Sequence, residues 1–116
     1  MKRRDSVDII CTILAPLASA KEQDKYIVHG TKDAYLLPEE LLERAWNLLA
    51  ERKDIAFPAR ECLAPLRDAV RACDVPEEVS NEQLVRDYEP WLEVRRLAQA
   101  SLTEIGFDLQ EYERDV

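Results

Sequence analysis

At 116 residues the chain has the size of one domain and reads as a single helical domain over 1–116, able to bury roughly two-thirds of its unfolded surface without a disulfide or metal. Apolar residues at 47% and charged residues at 34% exclude the disordered and membrane classes. The 24 acidic and 16 basic residues give a net charge of −8, a field that repels phosphate, argues against direct nucleic-acid binding and favours basic partners.

The first stretch offers two readings. Met1 to Arg4, the apolar run Ile9 to Leu17 and Ala18-Ser19-Ala20 before Lys21 imitate a secretory signal with an A-x-A cleavage site. Asp5 and Asp8 put charge where the apolar region should begin, and Pro16 interrupts it. A first helix is therefore expected, with Val7, Ile10, Leu14 and Leu17 on one face and Asp5 or Ser6 as its cap. The run falls short of the roughly 20 apolar residues that span a bilayer, so no membrane partner and a cytoplasmic location are expected.

Lys21 to Lys25 is a polar break. Lys25 to His29 and Ala34 to Leu37 are rich in β-branched, aromatic and apolar residues, with turn-like Gly30 to Asp33 between them. They predict a small β-hairpin or an extended segment leaning on the helices.

Pro38 to about Lys53 is the clearest helix. Pro38 suits the first position, Glu39 and Glu40 suit the positive end of the dipole, and Arg52 and Lys53 suit the negative end. Leu41, Ala45 and Leu48 form one apolar column, and Leu42, Trp46 and Leu49 the next. Asp54 to Phe57 is a connection. A third helix is expected over part or all of Pro58 to Cys73, with Cys62, Leu66, Ala69 and Cys73 on its buried face. Cys62 and Cys73 are too far apart on a continuous helix for a disulfide, which needs Cα atoms within about 7 Å.

Asp74 to Ser80 is a linker in which Pro76-Glu77-Glu78 can make one turn. The longest pattern follows, from Asn81 to Gly106. Ser80 and Asn81 stand before Glu82 and Gln83 as a capping signal, and Gly106 suits a left-handed C-terminal cap with Phe107 folding back on Leu102. Leu84, Tyr88, Trp91, Ala98, Leu102 and Ile105 recur at helical spacing. Pro90 must kink this helix or divide it, and Arg95 takes an apolar place in the stripe. Asp108 to Val116 is an acidic terminal helix or tail with Leu109 and Tyr112 on one weak edge. The predicted fold is mainly α: a compact array of four main helices, the second and fourth central, with the hairpin or extended segment between the first two.

Chemistry-bearing sets are sparse. Two glycines in all leave no glycine-rich phosphate loop. Three cysteines without C-x-x-C spacing and one histidine predict no metal site, and no cofactor is expected. Glu39, Glu40, Glu43, Glu77, Glu78 and Glu82 lack the Glu-x-x-His partner of a bundle metal site and read as solvated helix starts. Arg60, Arg67 and Arg71, and Arg86, Arg95 and Arg96, have carboxylate neighbours suited to ion pairing. Trp46 reads first as core.

The leading expectation is a small acidic interaction protein without catalysis of its own: a regulator, inhibitor or immunity-type partner of another protein, or of a second copy of itself as a homodimer. Its binding face is expected around Tyr88, Trp91 and Arg95, because aromatic and arginine anchors dominate interfaces. The alternative is a small-ligand-binding protein or enzyme with a pocket between the 25–37 segment and the long helix, lined by Tyr26, His29 and Tyr35. A third reading, mimicry of nucleic acid, requires a regular row of acidic side chains.

Overall fold

The computed structural model describes residues 6–30, 36–51 and 59–116, with the side chains of 6–8, 50, 51 and 59–62 outside that description. Seven α-helices and one π-helical turn make up the described chain, and no strand occurs in it. The four longest helices are α1 (Ser6–Ala18), α3 (Pro38–Glu51), α4 (Ala59–Ala72) and α6 (Glu89–Ile105). Shorter ones are α2 (Ala20–Gln23), α5 (Asn81–Arg86) and α7 (Leu109–Glu113). The radius of gyration of 14.0 Å is close to the roughly 13 Å of a folded 100-residue domain.

The long helices form a closed ring of contacts: α1 on α6, α6 on α4, α4 on α3, and α3 back on α1. The expected central helices, α3 and α6, each lie between α1 and α4 and have no extensive contact with one another among the described residues. The reason is that every long helix is amphipathic, so each buries one stripe between two neighbours. Ile10, Leu14 and Leu17 of α1, Leu41, Ala45 and Leu48 of α3, Leu63, Leu66 and Val70 of α4, and Trp91, Val94, Ala98 and Leu102 of α6 fill the common core. The run that imitated a signal peptide is thus a core helix, and no described helix is long and apolar enough to cross a membrane.

On α4 the buried face is rotated from the expected one. It centres on Leu63, Leu66 and Val70, leaving Ala69 and Cys73 half-buried at its edge, while the side chain of Cys62 lies outside the described residues. Branched side chains bury more apolar area than Ala or Cys, and they take the centre. The helix runs through Pro65, which is exposed.

Of the predicted first strand, Lys25 to His29, the residues up to Val28 are instead helical and His29 is a bend. Asp24–Val28 is a π turn continuing α2, closed by the His29 amide donating to the Asp24 carbonyl at 3.2 Å. Its wide geometry leaves carbonyls aimed outward, and distant residues take them up. The Leu36 amide donates to the Tyr26 carbonyl at 2.9 Å, and Asn81 Nδ2 donates to the Ile27 carbonyl at 3.2 Å. Ile27 is buried, and Arg86 of α5 pairs with Asp24 at 2.9 Å. Tertiary anchoring here overrides β propensity, which is a weak local preference. Leu36 and Leu37 have no regular structure, and residues 31–35 of the expected hairpin lie outside the described residues.

The long pattern divides at Pro90. Ser80 caps α5 through a complete capping box with Gln83. Asp87 and Tyr88 break the chain, and α6 begins at Glu89 with Pro90 in its first turn, where the missing N–H is harmless. At the far end Gly106 has φ 98°. Its amide and that of Phe107 close the 5→2 and 6→1 bonds of a Schellman motif onto Thr103 and Leu102.

Candidate functional site

Because Tyr88 lies outside both helices, the buried stripe of α6 runs through Trp91, Val94, Ala98 and Leu102. Arg95 does not interrupt this stripe. It stands on its edge, half-buried, where one nitrogen can reach two buried acceptors.

Those acceptors belong to a polar hub built on Gln23, a fully buried residue. Gln23 Oε1 accepts from Trp91 Nε1 at 3.0 Å and from Arg95 Nη1 at 3.0 Å. Its Nε2 donates to the carbonyls of Pro16 at 3.0 Å and Leu17 at 2.6 Å. These carbonyls sit at the buried end of α1, where the last helical turn lacks intrahelical donors. Gln99 of α6 takes the next one, Ala18, at 2.9 Å. Arg95 Nη1 also donates to the Val85 carbonyl at 2.8 Å, at the end of α5. The break near Pro90 creates an orphan carbonyl and a negative helix end, and Arg95, one turn beyond, satisfies both. Burial pushes the Arg95 guanidinium below its ordinary value.

Of the three expected partner-binding residues, Trp91 is therefore fully buried with its indole N–H bonded inside, and Arg95 joins α5 to α2. Tyr88 is half-buried and its hydroxyl donates to Asp74, a bond that pushes the phenol up to about 12. Tyr88 also edges a shallow groove of about 310 Å³ with Glu78, Val79, Gln83 and Asp87.

The residues of the ligand reading are less closely joined. Tyr26 is half-buried with Lys25 Nζ 5.3 Å from its ring centre. His29 is exposed, 3.8 Å from Asp24. Tyr35 lies outside the described residues. Cys73 is half-buried with its Sγ 3.5 Å from the Asp74 carbonyl oxygen, and burial pushes its thiol up to about 11, unlike a reactive thiolate. The arginines chiefly serve the surface. Arg67 pairs with Asp68 at 3.5 Å, Arg96 with Glu93 at 2.5 Å, and Arg86 with Glu82 at 3.1 Å. Exposed pairs of this kind, screened by solvent, contribute little to stability.

An apolar groove lies between α3 and α4. Leu42, Trp46 and Val70 line a groove of about 290 Å³ whose rims carry Glu43 and Arg71. Leu42 and Trp46 form the second apolar column of α3, which packs only its first column fully. The broad apolar face of α3 was the signal for this surface, because a stripe wider than its neighbours can cover leaves its edge outside. Gln23, by contrast, is a polar residue in a polar break, and nothing in its spacing marks it.

No family model, curated protein or solved structure matches the chain.

Proposed function

We propose that the chain is a small acidic protein-interaction module that acts by binding another protein. The observation that supports this reading is the α3–α4 groove. A partly buried tryptophan, packed against the core on one side, lies there between a carboxylate and a guanidinium. Tryptophan and arginine are the side chains most enriched among residues that dominate binding energy. A partner would insert an apolar side chain against Trp46 and offer opposite charges to Glu43 and Arg71. The net charge of −8 adds attraction toward a basic partner at longer range, weakening beyond about 8 Å at physiological salt.

Affinity capture with quantitative mass spectrometry, paired with light scattering for self-association, tests the reading. Trp46→Ala and Arg71→Glu should keep the native circular dichroism and lose the captured partner, or lose the dimer if the partner is a second copy. The reading fails if both variants fold and every association is retained at wild-type strength.

A further inference from the structure

The C-terminal helix α7 is joined to α2 through ionisable groups. Tyr112 donates its hydroxyl to both carboxylate oxygens of Glu22. Ser19 accepts from the Glu22 amide at 3.0 Å and donates to Glu113 Oε2 at 2.6 Å. Lys21 Nζ donates to the Glu113 carbonyl at 2.7 Å. Glu22 is only 6% exposed, an uncommon place for a carboxylate with no salt-bridge partner among the described residues. Among the described residues the groups that act on it are Tyr112 and Glu113 from α7, while Lys21 of α2 bonds the Glu113 carbonyl. Tyr26 of the π turn reaches Tyr112 electrostatically. Among the described residues no charged side chain of α1 or α6 hydrogen-bonds or ion-pairs with Glu22. Apolar support for α7 is thin: Phe107 and Leu109 are half-buried, and the rings of Phe107 and Tyr112 pack with centres 5.9 Å apart.

We propose that α7 is a proton-controlled latch, tightened on α2 when Glu22 is protonated and loosened when Glu22 ionises beside Glu113. With Glu22 neutral, the charge repulsion from Glu113 and the desolvation of a buried anion both vanish. The tyrosine hydroxyl keeps an acceptor in either state. With Glu22 ionised, the carboxylate gains by reaching water, and it reaches water by releasing α7. Burial first, and then Glu113, push Glu22 above the ordinary carboxylate range, against the opposing bond from Tyr112. The loosened state is therefore the one favoured toward higher pH.

Hydrogen exchange of the full-length chain between pH 5 and 8, corrected for intrinsic rates, tests the latch. The amides of Tyr112, Arg114, Asp115 and Val116 are bonded within the terminal turns and report docking. Their protection should rise as pH falls, by up to about tenfold per unit for one linked proton, while core amides of α6 stay unchanged. Glu22→Gln should hold protection near its acidic value at every pH. Glu113→Gln, which removes the lesser upward cause, should reduce the slope without abolishing it, and it keeps the test open if Glu22→Gln fails to fold. A pH-independent wild type, an equal slope in the core, or an unchanged slope in a folded variant would overturn the proposal.

Discussion

The two tryptophans occupy similar sequence settings and different worlds. Trp46 and Trp91 each sit in an amphipathic helix flanked by leucine, glutamate and arginine. Trp91 is completely buried with its N–H bonded to Gln23, whereas Trp46 packs against the core on one side and borders a groove on the other. The difference lies in the neighbours. The α6 stripe is enclosed by α1 and α4 and faces a polar group that satisfies the indole. The second column of α3 extends past the edge of α4. A buried indole donor needs a partner, and an exposed one has water.

The largest expected effect is on the enclosed member. Trp91→Ala should destabilise by about 3–5 kcal/mol in urea unfolding, a large share of the 5–15 kcal/mol total of an ordinary domain. Gln23→Leu should follow at about 3 kcal/mol, since it strands the Trp91 donor and two α1 carbonyls in a dry interior. Arg95→Met removes the donor to Val85 and should cost about 1–3 kcal/mol by the same measurement. Trp46→Ala should cost about 1 kcal/mol, and its main effect should fall on binding. Equal losses at Trp46 and Trp91 would erase the contrast between them.

The pH dependence sharpens the comparison from a third place. Glu22 has a raised pKa in the folded chain, so the folded state holds its proton more tightly than the unfolded state does. Its stabilising contribution is complete below the ordinary carboxylate range and is lost as pH rises through the raised value. Relative to Glu22→Gln, wild type should therefore lose stability from acid toward neutral pH, read from the shift between their denaturant midpoints. A constant difference would remove Glu22 from the pH response.

Much of the helical architecture was legible because its causes are local. Ser80 with Gln83, Gly106 with Phe107, and Pro90 in a first turn act over three to five residues, and their chemistry is written in the spacing. The apolar columns of α1 and α3 are equally local. The rotated face of α4 was less so, because Val70, Ala69 and Cys73 compete for the buried side and only the packed volume decides among them.

The candidate site was legible only in fragments. Pro90 and Arg95 stood out as two separate irregularities, yet they are cause and remedy: the proline ends one helix, and the arginine satisfies the carbonyl left at that end. That link required knowing which way Arg95 turns. The π turn at Asp24–Val28 has strand-like residues, yet it continues α2 and is tied down by contacts with Leu36, Asn81 and Arg86 that local sequence does not show.

By itself the sequence determined a mainly helical chain, its caps and its breaks, because backbone bonding within a helix reaches only a few residues. Tertiary structure alone decided which tryptophan is enclosed, where Gln23 goes and how Tyr112 meets Glu22. Those contacts join residues 68 and 90 positions apart, and their strength comes from excluding water, a property of the assembled core.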